Sequence, residues 1–224
     1  MPSPMPREPE PEWMDLAEEA EAYAQADFAD VNQRFVERLL ELAGPRETAE
    51  AVDLGTGPAD IPIRLVRARP GWRVVAVDAS GPMLDLARRD VDAAGLNENV
   101  VLLQADAKAI PLPDAGFDVV FSNSILHHLN DTDALWGEVK RLAAPGATVL
   151  LRDLARPAGP EQARKIVEDY AGHESALLQE EFHRSLLSAY TPDEVREQLD
   201  RAGHGGLEVA MASDRHLDVF GHLP

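Results

Sequence analysis

The sequence has no cysteine, few aromatic residues and far fewer basic residues than acidic ones. Without cysteine the chain can form neither a disulfide nor a thiolate metal site, and it has no cysteine nucleophile. The 40 Asp and Glu residues against 21 Lys and Arg give a formal net charge of −19. Because such a charge repels a polyanion, we expect no nucleic-acid substrate.

Long apolar segments are also missing. No segment reaches the roughly 18 consecutive apolar residues that indicate a membrane span, and the N-terminus lacks the charged-then-apolar order of an export signal. A chain of 224 residues with 45% hydrophobic content can bury one sizeable core. We therefore predict one cytoplasmic domain with appendages, without a membrane span and either monomeric or homodimeric.

The N-terminal appendage divides into two parts. Residues 1–12 are rich in proline and glutamate, which predicts a disordered tail. Residues 13–45 carry apolar residues at helical spacing and end at Gly44 and Pro45, which predicts leading helices. The main domain is then expected over residues 46–224.

Within the main domain, short β-rich segments alternate with helical ones. The predicted strands are AEAVDLG, WRVVAVDAS, NVVLLQAD, FDVVFSNS and ATVLLRDL, and helices are predicted near residues 59–69, 82–94 and 133–143. This alternation is typical of a parallel sheet with right-handed crossovers. Since such sheets bind ligands beyond the carboxyl ends of their strands, the polar residues that follow each strand are the first candidates for a site.

The last third of the chain changes character. Residues 157–190 are mostly helical in composition, and TPDEVREQLDRAG predicts one more helix with Thr191 as its N-cap. LEVAMASDRHLDVFG then reads as two short strands around Ser213 and Asp214. A terminal antiparallel hairpin would bring the sheet to seven strands, most of them parallel.

The stretch VDLGTGPAD, Val52 to Asp60, is a glycine loop at the end of the first predicted strand. A P-loop would need Gly-Lys-Ser/Thr, and a dinucleotide loop would need a third glycine where Asp60 stands. Asp53 and Asp60 would also place negative charge around a pyrophosphate. A ligand that keeps adenosine but carries an ammonium and a sulfonium, as S-adenosylmethionine (AdoMet) does, would instead be attracted by these carboxylates.

Residues 49–156 resemble the class I AdoMet-dependent methyltransferases, whose D-x-G-x-G motif is matched by VDLGTGPAD. The resemblance implies a Rossmann-like, doubly wound fold and AdoMet as cofactor, with S-adenosylhomocysteine as its product. Asp53 would bond the methionine ammonium, and Asp78 in VVAVDAS would bind the ribose hydroxyls. The remaining predicted cofactor contacts are Gly55, Thr56, Gly57, Ala79, Met83, Asp106, Ala107, Asn123 and, from the leading helices as a lid, Tyr23.

Other motifs narrow the resemblance to enzymes with small-molecule acceptors. Two motifs, L-P-x-x-x-F-D-V-V and I-L-H-H-L, resemble those of methyltransferases of the ubiquinone and menaquinone biosynthesis type. His127 and Asp153 are candidate bases because they follow the fourth and fifth strands. The two alternatives are an AdoMet-binding protein without catalysis and an NAD-type oxidoreductase on the same fold.

The helical insert after the fifth strand, residues 157–190, is expected to cover the acceptor. It is much longer than the usual strand-to-helix connection and leaves the sheet at the ligand-binding edge. Tyr170, His173 and His183 are its predicted pocket residues, although the insert could instead be a dimer interface or a stabilising cap. The sequence shows no convincing metal-ligand spacing, so no metal is predicted.

Overall fold

A seven-stranded sheet runs through the computed structural model, which describes residues 5–10 and 28–224. Its order is β3-β2-β1-β4-β5-β7-β6. β1 to β5 pair in parallel, whereas β7 is antiparallel to both β5 and β6. The strands are β1 (Ala49–Leu54), β2 (Trp72–Asp78), β3 (Val100–Gln104), β4 (Phe117–Asn123), β5 (Ala143–Leu154), β6 (Glu208–Met211) and β7 (His216–His222). The predicted fold class, including the terminal hairpin, is confirmed.

Seven α-helices and one short 3₁₀ turn, Leu126–His128, accompany the sheet in the described part of the chain. The local sequence explains where several of them begin and end. Thr191 and Glu194 form a reciprocal capping box at one helix start. The helices are α1 (Ala29–Ala43), α2 (Asp60–Ala68), α3 (Gly81–Ala94), α4 (Asp133–Leu142), α5 (Pro160–Ala171), α6 (Ala176–Ser188) and α7 (Pro192–Ala202). None of these helices is long and apolar enough to span a bilayer.

The core lies on both faces of the sheet. On one face α1, α2 and α3 pack on β1 and β2, with Phe35, Leu65 and Trp72 fully buried. On the other face α4 and α7 pack through Trp136 and Leu199. A sheet covered on both sides needs strands that are apolar on both faces, which is why the strand sequences are nearly continuous in valine and leucine.

The strand order reverses between β1 and β4, and this reversal positions the site. Crossovers leave β1 and β4 in opposite directions, so a crevice opens at their carboxyl ends. The glycine loop after β1 is fixed there because the amides of Gly55 and Thr56 both donate to the carbonyl of Val77, at 2.8 Å each. The 3₁₀ turn after β4 lies on the other side of the crevice.

The structure describes only part of the N-terminal appendage. Residues 5–10, here called the strap, lie against the main domain, and the amide of Glu8 donates to the carbonyl of Leu187 at 3.0 Å. The disordered tail over residues 1–12 stays a prediction, although these six residues make defined contacts with the main domain. The predicted helical region 13–45 is described only from residue 28 onward, where α1 is found.

We expect Phe121→Ala to lower the free energy of unfolding by about 3–5 kcal/mol, because truncating a buried aromatic side chain leaves a cavity. Phe121 is fully buried at the centre of β4 and packs against Phe35. Urea denaturation measures the effect. Leu177→Ala is the control, since Leu177 is 54% exposed. A Phe121 variant as stable as the Leu177 variant would contradict this account of the core.

Candidate active site

The glycine loop provides the open, strained backbone that close approach to a ligand requires. Gly57 has φ +55°, and a Cβ built there would meet no atom within 4 Å. Gly55 has φ +76°, and a Cβ there would come within 2.9 Å of Ile125 Cδ1. Gly57 therefore faces open space in the crevice, whereas Gly55 allows the loop to pack on the segment after β4. The loop fits a bound cofactor of AdoMet's kind at Gly57.

Asp53 ends β1 with a carboxyl group that is almost inaccessible to solvent. Burial, together with the like charge of Asp78, raises the pKa of Asp53 from an ordinary 3.8 to about 7. A cation placed beside Asp53 would offset both effects, because an opposite charge favours the ionised carboxylate. The site is thus prepared for a positively charged group.

Asp78 ends β2 and is held by the loop itself. Its Oδ2 accepts the amide of Gly57 at 2.7 Å, and its Oδ1 accepts the amide of Ser80 at 2.9 Å. Burial raises the pKa of Asp78, although these amides and the nearby His128 oppose the shift. The two amides fix the carboxylate plane and leave lone pairs for a diol.

The other predicted cofactor residues line the same edge. Asp106 follows β3 and accepts the amide of Lys108 at 2.8 Å, and Ala107 is buried beside it. Met83 is buried in the first turn of α3, where its amide donates to Ser80 Oγ. Ala79, Thr56 and Asn123 occupy strand ends or the loop, while Tyr23 lies outside the described residues. The structure thus gathers the described members of the set at one sheet edge.

Asp60 has a different role from the loop aspartates. Its Oδ2 accepts Arg64 Nε at 2.7 Å and Asn32 Nδ2 at 2.9 Å. Asp60, which stands where a dinucleotide loop would have its third glycine, is therefore paired with Arg64 of its own helix, α2. It is also hydrogen-bonded to Asn32 of α1. This contact connects the leading helix to the glycine loop.

The two candidate bases, His127 and Asp153, form a buried pair. They come from the ends of two different strands. His127 Nδ1 lies 2.5 Å from Asp153 Oδ1, and Asp153 Oδ2 accepts the amide of Leu126 at 2.5 Å. Because a carboxylate only accepts, Nδ1 carries a proton, and in the neutral ring Nε2 keeps its lone pair. Burial alone would lower the pKa of His127, but the charge and hydrogen bond of Asp153, together with the charge of Glu10, outweigh burial and raise it. Such a pair can accept a proton at Nε2.

The strap reaches this pair from the N-terminus. Arg7 donates to the carbonyls of His127, Leu129 and Ser188 at 2.9, 3.0 and 2.6 Å. Glu10 Oε1 lies 3.4 Å from His127 Nε2 and 3.0 Å from His128 Nδ1. Sequence reasoning missed both strap residues, since nothing in a proline-rich segment connects it with a turn more than a hundred residues away.

The helical insert contributes α6 to the same region. Ser188 Oγ donates to the carbonyl of His127 at 2.6 Å, and Ser185 Oγ donates to Glu10. These serines carried no sequence signal of function, because serine in a helix is usually solvated. Their contacts place the end of α6 directly beside the 3₁₀ turn.

The three predicted pocket residues of the insert are arranged differently. Tyr170 ends α5, where its hydroxyl donates to Asp214 at 2.9 Å and its ring lies 3.3 Å from the Arg215 guanidinium. His173 is largely exposed and pairs with Glu174, and His183 is partly buried on α6. The structure thus ties Tyr170 to the terminal hairpin, and a pocket role for these three residues stays a prediction.

With the geometry established, comparison with known proteins identifies the central part of the chain. Residues 52–151 match the family described as a methyltransferase domain. The match covers less than half of the chain, and over this segment the chain is similar to that family. The matched residues run from the glycine loop to the middle of β5, so the match contains the aspartates of β1 and β2 and the histidines of the 3₁₀ turn.

The chain is also similar to curated proteins that are named as methyltransferases. A demethylmenaquinone methyltransferase of Thermus thermophilus is 36% identical over 124 residues, which are 55% of this chain and 56% of the relative. A ubiquinone/menaquinone biosynthesis C-methyltransferase UbiE of Hahella chejuensis is 30% identical over 122 residues, 54% of this chain and 49% of the relative. The chain thus spans about half the length of these relatives.

Solved structures share the fold over a greater length. An S-adenosylmethionine-dependent methyltransferase from Aquifex aeolicus superposes with a TM-score of 0.69 at 22% identity, covering 93% of this chain and 99% of that one. Phosphoethanolamine N-methyltransferase 2 of Haemonchus contortus, in complex with S-adenosyl-L-methionine, has a TM-score of 0.63 at 23% identity, covering 82% of this chain and 39% of that one. These structures confirm the Rossmann-like fold that the sequence resemblance implied.

We expect Asp53→Asn to stabilise the ligand-free protein at high pH more than at low pH. The folded-state pKa of Asp53, about 7, lies above the unfolded value, so ionisation destabilises the fold progressively as pH rises from about 4 to 7. Asparagine removes this cost. The stability difference between variant and wild type should grow by roughly 2–4 kcal/mol between pH 4 and pH 8.

Urea denaturation across this pH range, without AdoMet, provides the measurement. Asp85→Asn is the matched control, because Asp85 is an exposed acid paired with Arg88 on α3. A stability difference for Asp53→Asn that does not change with pH would show that this carboxyl group is ordinary.

Proposed function

We propose that this protein is an AdoMet-dependent methyltransferase that methylates a small molecule bearing an ionisable hydroxyl group. The observation that carries the proposal is the Asp153–His127 pair, which lies next to the crevice that the glycine loop opens. A fold that only stores AdoMet has no need of a buried imidazole held in one tautomer. A dinucleotide would bring phosphates next to Asp53 and Asp78, which disfavours the oxidoreductase alternative.

Under this proposal, residues of the glycine loop and of the neighbouring strand ends each make a specific contact with the cofactor. Asp53 attracts the methionine ammonium and is restored to its ionised form by it. Asp78 accepts the ribose hydroxyls with the lone pairs that its two amides leave free. Gly57 leaves the space in which the cofactor contacts the backbone. Asp106 and Ala107 border the adenine at the end of β3.

The chemistry then needs alignment and one proton acceptor. AdoMet supplies an activated methyl group on a sulfonium, which is already a good leaving group. His127 Nε2 would take the hydroxyl proton of the acceptor as its oxygen or a conjugated carbon bonds the methyl carbon, while the bond from that carbon to sulfur breaks and neutral S-adenosylhomocysteine leaves. After attack by a ring carbon, loss of the proton on that carbon and return of a proton to the oxygen restore the hydroxylated ring. Asp153 stabilises the imidazolium that results and keeps its ring in place. Burial of the pair excludes water and favours in-line approach.

The acceptor is proposed to be a hydroxylated aromatic ring. Loss of its hydroxyl proton produces an anion whose charge spreads from oxygen to ring carbons, so the same base serves O- and C-methylation. The names of the curated relatives, which refer to menaquinone and ubiquinone biosynthesis, favour this class. The insert contributes by bringing α6, with Ser185 and Ser188, over the turn that carries His127. Monomeric or dimeric state and cytoplasmic location stay predictions.

We expect Gly57→Val to abolish AdoMet binding measured by calorimetry, because the added side chain would occupy the cofactor's space. Gly146→Val is a matched control. Gly146 also has positive φ and open space around its Cβ, but it lies near the start of β5, at the opposite edge of the sheet. The backbone strain is similar in both variants, so only loss of the cofactor's space separates them. Equal AdoMet affinity in the two variants would contradict the proposed contact.

We expect His127→Ala and Asp153→Asn to lower the methylation rate about 10²–10⁴-fold, the usual contribution of a positioned general base. The affinity for AdoMet should stay within about twofold, roughly 0.4 kcal/mol. The assay follows S-adenosylhomocysteine release with a panel of phenols, hydroquinones and dihydroxynaphthalenes, together with an amine and a thiol.

His222→Ala is the control in this assay, because His222 is exposed at the end of β7. Turnover confined to the hydroxylated compounds and lost in the two dyad variants supports the proposal. Turnover of the amine or thiol alone, or a full rate in His127→Ala, would refute the assigned acceptor class or base.

A further inference from the structure

Three potential metal ligands from distant parts of the chain meet at the 3₁₀ turn. They are Glu10 of the strap and the adjacent histidines His127 and His128, and one ligating atom of each lies within 4.8 Å of the other two. Glu10 Oε1 is 3.4 Å from His127 Nε2 and 3.0 Å from His128 Nδ1. The side chain of Glu10 is only 8% exposed. Within the described residues this is the group with such an arrangement.

The two histidines are presented as ligands rather than as ordinary hydrogen-bonding residues. His128 Nδ1 is buried and makes no hydrogen bond with the described residues, although the Glu10 oxygen lies near it. A short contact without hydrogen-bond geometry is what two ligands of one ion show. His127 Nδ1 is engaged by Asp153, which directs the Nε2 lone pair towards Glu10. A carboxylate on the far nitrogen is the usual partner of a metal-binding histidine.

The strap holds Glu10 in position from both sides. Arg7 is anchored by three backbone carbonyls and stacks over the Tyr190 ring at 4.2 Å. The amide of Glu10 donates to Ser188 Oγ at 3.3 Å, and its carboxylate accepts from Ser185. Glu10 therefore reaches the histidines from a fixed backbone, which lowers the entropic cost of adding it to a ligand set.

We propose that Glu10, His127 and His128 bind a divalent transition-metal ion of the zinc type. Two imidazoles and one carboxylate form a known three-ligand zinc set, in which bonds of about 2.0 Å put neighbouring ligand atoms about 3.3 Å apart. The observed 3.4 and 3.0 Å are close to that spacing. Three protein ligands leave one coordination position for water or another small ligand.

The ion and the proposed base use the same atom. His127 Nε2 cannot accept a proton while it coordinates a metal, so the ion is an inhibitor of methyl transfer. This consequence rests on the proposed function, whereas the metal site itself does not. The competing interpretation is that Glu10 forms only ion pairs with the histidines, and it predicts no specific metal uptake.

Cobalt titration of the chelator-treated full chain tests the site, because Co²⁺ in a tetrahedral nitrogen and oxygen site absorbs visible light. We expect one Co²⁺ per chain and its displacement by Zn²⁺. Glu10→Gln and His128→Gln should weaken binding about tenfold or more, since losing even a residue that merely orients a ligand costs about 10–100-fold. His222→Gln is the matched control and should bind as the wild type does.

The outcomes separate the two proposals. No saturable uptake, or unchanged affinity in Glu10→Gln, overturns the metal site. Because Glu10→Gln alters only the strap, its result does not depend on the folding of the main domain. AdoMet calorimetry on the metal-free protein reports on the proposed function independently, so a failure of either is recognised by its own measurement.

A second measurement follows the strap itself. If Glu10 is a ligand, Zn²⁺ should slow hydrogen exchange at the amides of Glu8 and Glu10, which bond to Leu187 and Ser188. The same addition should leave exchange in Glu10→Gln unchanged. Equal exchange with and without Zn²⁺ in the wild type would remove Glu10 from the ligand set.

Discussion

The carboxylate of Asp153 organises the side of the crevice that carries the 3₁₀ turn. A buried charge needs several partners, and Asp153 has the amides of Leu126 and Leu154 as well as the imidazole of His127. Burial would raise the pKa of Asp153, but the charge of His127 and these hydrogen bonds hold it below its ordinary value. The end of β5 thereby fixes the turn after β4, and the strap and α6 then attach to carbonyls of that turn.

The opposite wall of the crevice carries two acidic side chains that are shielded from solvent. Asp53 and Asp78 are acids in little solvent, and both have pKa values raised by burial. Among the residues that the structure describes, neither is paired with a basic side chain in the way that Asp60 is paired with Arg64. A fold that maintains such acids is prepared for a ligand that brings positive charge, because the ligand's binding relieves a cost that folding has already incurred.

Local sequence patterns were sufficient to predict most of the fold and about half of the residues of the candidate site. Strand sequences apolar on both faces, the proline and glycine at helix ends, and the D-x-G-x-G spacing all act over short distances, so the glycine loop, Asp78 and Asp106 were predictable. The pairing of His127 with Asp153 was foreseeable only as two strand ends at one sheet edge. Arg7, Glu10 and Ser188 were not predictable, because their contacts join segments more than a hundred residues apart or depend on the register of a helix. The proposed metal site was not predicted for the same reason, since one of its proposed ligands lies in a segment whose composition indicated disorder.

The strap and the C-terminal residues lie at opposite edges of the sheet. The strap ends beside the 3₁₀ turn, whereas Leu223 bonds to the backbone of Ala147 near the start of β5. A purification tag or fusion partner joined ahead of the strap would disturb the contacts that Arg7 and Glu8 make with the 3₁₀ turn and the end of α6. The same addition after Pro224 would project from the far edge. Recombinant work on this protein is therefore better served by a C-terminal handle, and an inactive N-terminal fusion would be uninformative about its catalysis.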